Sequence, residues 1–348
     1  MRFVVNRSCD SAMSKVSILL LKPIEESPSP TDQSLGAYLA ATEGPQRENI
    51  SLEQETFRHG DLNDLTAAVE RWEGRIDGVV GATNVPESTR LGELSEELKF
   101  LCFVSNNNPS VWQNRRTVFH IGVPTRLTSA AVAEQLLHKV AARRIYLLHD
   151  ATEFQTRVAD NTASFLKGAG AEVRSTPTTR PDWLDELSAW KPELVYVVVS
   201  DEGRALPLVR SVREVFPRLP LLLGRSLLRR SFIDAVGSDD EALLFVDMFQ
   251  RGALRSEQEA VFAKALAKAD VSLPTANHGF GWDAMMLSAG ALARASGSLS
   301  AAIEYLESGA ELAGATGRYQ FNREDHNGRE TFNPTVLSSL RSGEVTAY

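Results

Sequence analysis

The stretch Val16-Ser17-Ile18-Leu19-Leu20-Leu21 is apolar at five of its six positions and is followed closely by Pro23. An apolar run without polar alternation is typical of a strand that is buried on both faces of a parallel sheet. Residues 76–81 and 100–104 repeat this pattern, whereas residues 62–75 carry apolar side chains at the spacing of one helix face. This alternation of strands and helices predicts an α/β fold with a doubly wound parallel sheet.

A second series of the same kind begins after Val123-Pro124 and runs to residue 248. Three helical stretches then follow, which predicts that the chain returns to complete the first unit. A length of 348 residues exceeds what one hydrophobic core usually serves. We therefore predict two βαβ lobes joined by a hinge of several crossings. Lobe 1 comprises residues 15–122 and 250–318, lobe 2 comprises residues 123–249 and 319–348, and residues 1–14 form an irregular extension.

Composition excludes several classes of protein. The net charge of −8 argues against a nucleic-acid partner, because phosphate contacts need a surplus of Lys and Arg. No apolar run reaches the roughly 18 residues of a membrane span, so we expect no direct membrane insertion. The first residues lack the apolar core of a secretory signal, so no signal peptide is predicted in this sequence. Of the two cysteines, Cys102 is interpreted as a small buried hydrophobe, and Cys9 lies in the irregular extension.

Motifs of catalysis are missing from the sequence. There is no nucleophile elbow, no P-loop and no dinucleotide-binding glycine fingerprint. The six histidines lack metal-ligand spacing, and Asp325-His326-Asn327-Gly328 is interpreted as a plain Asn-Gly turn rather than a calcium loop. Ser27-Pro28-Ser29-Pro30 is interpreted as a surface loop. We therefore predict a protein that is not an enzyme and has no cofactor and no metal.

Candidate ligand residues lie in the loops after strands, where open parallel sheets bind small molecules. Ser105-Asn106-Asn107-Asn108 follows a buried strand, and its amides both donate and accept hydrogen bonds. An alternative is that asparagine only serves turns with positive φ. In the second half, Ser200 and Asp201 end a valine-rich strand. Arg225 is interpreted either as a clamp for a carboxylate or as part of a solvated basic turn with Arg229 and Arg230.

Four segments together resemble the periplasmic substrate-binding proteins of the branched-chain amino-acid (leucine/isoleucine/valine-binding) ABC transporter type. The resemblance covers nearly all of residues 15–345. It is carried by residues 78–81 with Phe103-Val104-Ser105-Asn106-Asn107-Asn108-Pro109, by 118–124, by 144–154, and by 281–284 with 314–321. It implies the type I periplasmic-binding fold, with three crossovers as the hinge and a ligand in the cleft between the lobes.

The resemblance also implies a set of ligand-binding residues. They are Val85, Ser105, Asn106 and Asn107 in lobe 1, and Phe154, Ser200, Asp201, Arg225 and Ser226 in lobe 2. This sequence departs from amino-acid binders of the type at Arg225-Ser226, where they usually place an acidic residue against the ammonium group of the ligand. An arginine in the cleft favours an anion instead.

The function that the resemblance implies is that of a solute-binding receptor of an ABC importer. Such a receptor captures a small polar or carboxylate-bearing, amino-acid-like metabolite by hinge closure, with an ABC permease as partner in the periplasm. An alternative is a cytoplasmic small-molecule sensor of the same fold that regulates a partner protein. A third interpretation is a hydrolase or transferase, since fold alone does not define function.

Overall fold

A computed structural model describes residues 15–24, 28–237, 240–249, 256–329, 332–342 and 344–348. The predicted extension at residues 1–14 and Cys9 lie outside the described residues. No helix within these ranges is long and apolar enough to cross a membrane.

Residues 16–120 contain five parallel strands, which form a sheet in the order β2-β1-β3-β4-β5. These strands are β1 (Val16–Pro23), β2 (Ile50–Phe57), β3 (Gly78–Val80), β4 (Leu101–Val104) and β5 (Val118–His120). Successive side chains of β1 alternate between two cores, because Ile18 and Leu20 face one side of the sheet and Leu19 and Leu21 the other. The absence of polar residues at these positions follows from this two-sided burial.

The second sheet has seven strands in the order β14-β13-β10-β9-β8-β6-β7. Its parallel strands are β6 (Arg144–His149), β7 (Glu172–Pro177), β8 (Leu194–Val198), β9 (Leu221–Leu223) and β10 (Leu243–Asp247). A two-stranded hairpin follows, formed by β11 (Leu312–Gly314) and β12 (Gly317–Tyr319). The antiparallel strands β13 (Val336–Arg341) and β14 (Glu344–Ala347) then complete the second sheet beside β10.

Helices cover both faces of each sheet. They are α1 (Pro28–Glu43), α2 (Leu62–Glu70), α3 (Val85–Leu98), α4 (Thr125–His138), α5 (Glu153–Gly168), α6 (Trp183–Trp190), α7 (Glu202–Val215), α8 (Arg230–Val236), α9 (Glu257–Lys268), α10 (Ala276–Arg294) and α11 (Leu299–Leu306). Helices α1 and α10 pack on one face of the first sheet, and α2 and α3 on the other. The predicted α/β class with two doubly wound units is confirmed.

Helices α1 and α10 approach each other so closely that glycine is required at their contact. A β-carbon added to Gly281 would lie 1.8 Å from the main-chain oxygen of Gln33, and one added to Gly36 would lie 1.9 Å from that of His278. The two backbones therefore touch directly. This contact fixes the late helix α10, which follows the second parallel series in the chain, against the first sheet.

The chain passes between the two sheets three times, after β5, after β10 and after β12. The fully buried Arg329 joins the first and third passages, because its Nε donates to the Ile121 oxygen at 3.1 Å and its Nη1 to the Arg318 oxygen at 2.9 Å. Its guanidinium also donates to the hydroxyl of Tyr319, which in turn donates to Asp283 on α10 at 2.6 Å. The residue limits given above for the two lobes stay predictions.

One local prediction was wrong. The interpretation of residues 27–30 as a loop fails because α1 already begins at Pro28, and the first turn of a helix tolerates proline, whose missing N–H has no intrahelical partner there. Residue 27 itself lies outside the described residues. The predicted Asn-Gly turn is present, because Gly328 and Arg329 form a turn and Asn327 Oδ1 accepts from the Arg329 N–H at 3.2 Å. Asn327 is also buried and bridged to His120, so the turn does not lie on the surface.

Candidate functional site

A cavity of about 520 Å³ lies between the strand ends of the two sheets. The loops after β3 and β4 line one side, and the ends of β8, β9 and β10 with helix α5 line the other. Eight of the nine residues implied by the resemblance line it: Val85, Ser105, Asn106, Asn107, Phe154, Ser200, Arg225 and Ser226. The structure thus brings these residues together, and their binding of a ligand stays a prediction.

The asparagine loop after β4 is held by its own hydrogen bonds. Asn106 Oδ1 accepts from the Asn108 N–H at 3.1 Å, and Asn108 Oδ1 accepts from the Ser110 N–H at 3.1 Å. None of the three asparagines has a positive φ, so the alternative that they serve a left-handed turn is wrong. Ser105 donates from its hydroxyl to Gln33 Oε1 at 2.8 Å, which ties the loop to α1.

Apart from His59 Nδ1, which lies 2.8 Å from Glu87 Oε1, four polar side-chain atoms in the cavity wall are buried without a hydrogen-bond partner among the described residues. They are Asn106 Nδ2, Asn107 Oδ1, Thr125 Oγ1 and Thr128 Oγ1. An unpaired buried polar group costs about 1–3 kcal/mol, so native proteins rarely keep several in one place. Their convergence on one cavity is the arrangement that a polar ligand group would satisfy.

Thr125 and Thr128 were not predicted from the sequence. Both belong to the first turn of α4, three residues apart, and therefore share one face of the helix. Val123-Pro124 just before them marks the start of the second unit, and this was the one signal in the sequence that pointed to the place. Nothing in the residue types showed that the hydroxyls face a cavity.

The second side of the cavity combines apolar and polar groups at the end of β8. Phe154, in the first turn of α5, is 39% exposed, so its ring is accessible at the cavity wall. Ser200 is exposed, and its hydroxyl accepts from Gln155 Nε2 at 2.8 Å. Helix α5 starts at this place because Thr152 caps it, with Oγ1 accepting from the Gln155 N–H.

Arg225 lines the cavity, and it also lines a second pocket that contains Asp32 and Asp270. Its Nη1 lies 3.5 Å from Met248 Sδ, and the guanidinium lies over the ring of Phe280 at 5.4 Å. Burial lowers the pKa of Arg225 to about 10, and the negative charge of Asp247 opposes this effect. Arg225 begins the short 3-10 turn Arg225–Leu227 and is partly buried, whereas the neighbouring Arg230 is exposed. Its role as a clamp for a carboxylate stays a prediction.

Asp201 is the one predicted site residue that does not line the cavity. Its Oδ1 accepts from the Arg204 N–H at 2.8 Å and so caps the N-terminus of α7. A carboxylate used in this way satisfies one of the free N–H groups of a helix start. The structure thus gives this side chain a local role, and its predicted contact with a ligand stays a prediction.

His120, at the end of β5, contacts the main chain of the asparagine loop. Its imidazole is fully buried and stacks on Trp112 with a centroid distance of 3.8 Å. Burial lowers the pKa of His120 to about 4, so the ring is neutral near pH 7. A neutral ring in this position acts as a rigid support rather than as a charge in the cavity.

Within the part of the chain that the structure describes, no group of three His, Cys, Asp or Glu side chains is placed to hold a metal ion. Cys102 is buried in β4, as expected for a small hydrophobe, and burial raises the pKa of its thiol to about 12.

The structure is that of a two-lobed α/β binding protein. It has two sheets built from βαβ units, three passages of the chain between them and a cavity where their strand ends face each other. The chain belongs to the periplasmic binding protein family, whose sequence profile it matches over residues 59–338. No curated protein sequence matches it significantly.

Several solved structures share the fold. The leucine-binding protein LivK of Thermotoga maritima is 18% identical with a TM-score of 0.77, over 96% of this chain and 97% of that one. A substrate-binding protein of an ABC transporter from Desulfitobacterium hafniense in complex with Leu is 16% identical with a TM-score of 0.78, over 96% and 100%. The branched-chain amino-acid binding protein LivJ of Streptococcus pneumoniae in complex with isoleucine is 16% identical with a TM-score of 0.76, over 96% and 98%. At these identities the likeness is one of fold.

Proposed function

We propose that this protein is the solute-binding receptor of an ABC importer and captures a small polar or carboxylate-bearing metabolite in the cavity between its lobes. The observation that carries the proposal is the set of four unpaired polar atoms in the cavity wall, on Asn106, Asn107, Thr125 and Thr128. They come from elements on both sides of the cleft. A ligand that bonds to both sides favours the closed arrangement and so shifts an open–closed equilibrium.

Membership of the family supports the finer parts of the proposal. Solved neighbours of the same fold are substrate-binding proteins of ABC transporters, and two of them hold leucine or isoleucine. We infer that this chain likewise makes and breaks no covalent bond, works in the periplasm and delivers its ligand to an ABC permease. The ligand itself has to come from the chemistry of this cavity, because an identity of 16–18% transfers the fold and not the specificity.

A thermal-shift screen tests the proposal. The purified protein is heated with amino acids, short-chain and aromatic carboxylates, amides and urea, one at a time. A ligand present at a hundredfold excess over its Kd stabilises the native state by roughly 2.7 kcal/mol, so binding appears as a raised midpoint. Stabilisation by one chemical class supports a solute receptor. A folded protein that no compound stabilises contradicts it and favours a sensor that responds to a partner protein.

A further inference from the structure

The cavity wall has an unusual balance of charge. Among the described residues, it contains no Asp and no Glu, while His59, Arg157 and Arg225 contribute basic groups. The chain as a whole has 45 acidic and 37 basic residues, so an acidic residue would be expected in an average patch of its surface. The cavity wall therefore has an excess of basic side chains, whereas the chain as a whole has an excess of acidic ones.

Two of the three basic side chains already have acidic partners outside the cavity. Arg157 Nη1 lies 3.5 Å from Glu153 Oε1, one helical turn away on α5. His59 Nδ1 lies 2.8 Å from Glu87 Oε1, and the Glu87 side chain is fully buried. Neither group brings an unbalanced positive charge to a ligand.

Arg225 is the third, and in the described part of the chain no carboxylate lies within salt-bridge distance of it. The negative charge of Asp247 acts on Arg225 and raises its pKa. The Asp247 carboxylate, however, accepts hydrogen bonds from the Met248 N–H at 2.8 Å and from the Ser338 hydroxyl at 3.0 Å. Its carboxylate does not line the cavity. A half-buried guanidinium without a salt bridge is a ready partner for an anion, which it binds through paired N–H donors.

Apolar side chains face the cavity from the second sheet and from α5. Val198, Val246, Met248 and Val158 line it together with the ring of Tyr196. Such a surface gains free energy by covering an apolar part of a ligand. The cavity thus combines one cation, several unpaired neutral polar atoms and an apolar wall.

We propose that the ligand of this cavity is an apolar monocarboxylate without an α-ammonium group, and that Arg225 is the counter-ion that selects it. The inference rests on the proposed receptor function and names its ligand class. One cation without an ion pair matches one carboxylate. An α-amino acid would bring an ammonium group into a cavity without a carboxylate, and a buried charge without an opposite charge is strongly disfavoured.

The test uses three compounds that share one carbon skeleton: isocaproate, leucine and isocaproamide. A second set on an aromatic skeleton is hydrocinnamate, phenylalanine and hydrocinnamamide. Within each set, only the ammonium group or the charge of the acid changes. Titration calorimetry on the full chain gives each Kd. We expect at least one acid to bind, and its amino acid and its amide to bind roughly 30-fold more weakly or worse, which is the loss of about 2 kcal/mol for a missing charge partner.

Variants assign the effect to Arg225. Arg225→Gln should weaken the binding of the acid by a similar factor and leave the binding of the amide unchanged. The preference of the protein for the acid would then disappear. Arg225→Lys keeps the positive charge and should keep the preference, and it also serves if the glutamine variant does not fold. Arg218→Gln is the control for the loss of one positive charge, because Arg218 is exposed and does not line the cavity, and it should leave the binding of the acid and of the amide unchanged.

Three results would overturn the inference. An amino acid that binds as tightly as its matched acid overturns the choice of ligand and leaves the receptor function intact. Equal weakening of acid and amide in Arg225→Gln shows that Arg225 supports the structure rather than the charge of the ligand. No binding by either set, with amino acids and amides also silent in the wider screen, overturns both the inference and the proposed function.

Discussion

The Nε2 atom of His120 lies 2.5 Å from the main-chain oxygen of Asn106. The imidazole therefore donates a hydrogen bond from the end of β5 to the loop that carries the cavity asparagines. Its Nδ1 is 3.1 Å from Asn327 Oδ1, in the third passage between the sheets. One buried ring thus connects the candidate site to the segment that links the two sheets.

This histidine should make the protein less stable as the pH falls below about 6.5. Its pKa is about 4 in the folded state against 6.5 in the unfolded chain, so the unfolded chain binds a proton first. Each unit of difference between the two pKa values corresponds to about 1.4 kcal/mol, so protonation of His120 can lower the free energy of unfolding by at most about 3 kcal/mol. Urea unfolding of the wild type and of His120→Gln, between about pH 7 and about pH 5, measures it.

The variant should lose less stability over this interval than the wild type, because the contribution of His120 is gone. Other groups, including His278 and Asp283, titrate in both proteins, and the difference between them isolates His120. His138→Gln is the control, since His138 is exposed, and it should follow the wild type. Equal pH dependence of His120→Gln and the wild type would contradict the prediction.

Asn107→Ala should weaken the binding of the amides of the two matched sets by roughly 5- to 30-fold, since an amide N–H can donate to Asn107 Oδ1 and a buried hydrogen bond is worth about 1–2 kcal/mol. The acids should bind with little change, because an ionised carboxylate has no hydrogen to donate to this oxygen. Asn107 Oδ1 has no partner among the described residues, so its removal breaks no hydrogen bond of the free protein. Asn108→Ala is the matched control one residue further on, because Asn108 Oδ1 is occupied by Ser110. Calorimetry with the amide and the acid of the better-binding set measures both variants. A larger loss of affinity in Asn108→Ala would place the contact elsewhere.

Asp201→Ala should cost about 1 kcal/mol of stability through the loss of the α7 cap, with little change in ligand affinity. Asp201→Asn keeps an oxygen acceptor at the cap and should recover most of the stability. Urea unfolding and calorimetry on the same preparations separate the two effects. If Asp201→Ala abolished binding at unchanged stability, its carboxylate would belong to the ligand site as the resemblance implies.

Gly281→Ala should destabilise the protein by about 1–3 kcal/mol or more, because the added methyl group meets the backbone of α1 and neither helix can move without disturbing the core. Gly168→Ala, at the end of α5, adds the same methyl group where nothing lies within 4 Å. That control should be neutral or slightly stabilising. Thermal and urea unfolding compare the two variants. If Gly281→Ala were as stable as the wild type, the two helices could move apart enough to accept the methyl group, and the prediction would be wrong.

The parallel strands were predictable because burial on both faces leaves a continuous apolar run, as in β1 and β8. Strand β13 was missed because Ser338 and Ser339 stand in its middle. Both are buried, and the Ser338 hydroxyl donates to Asp247 on β10 at 3.0 Å. A polar residue becomes a good strand-core residue only through such a partner, and the partner lies 91 residues away in the chain.

The candidate site was predictable as far as it consists of loops at strand ends. Ser105 to Asn107 and Arg225-Ser226 come together there because the ends of parallel strands share one edge of a sheet. Asp201 belongs to such a loop too, but its side chain bonds back to its own helix. Whether a polar side chain serves the backbone or the cavity is decided by its rotamer and its neighbours, and residue type does not reveal these. Thr125 and Thr128 were missed for the same reason.

The late position of β13 and β14 in the chain has a consequence for synthesis. Strand β10 is an interior strand of the finished sheet, yet its antiparallel neighbour β13 is translated only after three further helices and a hairpin. Until residues 336–347 leave the ribosome, residues 243–247 form an unpaired apolar edge, which is the kind of surface that recruits strands from other chains. The nascent protein thus passes through a stage in which its second sheet is open on one side, and a chaperone that shields such edges would act during that interval.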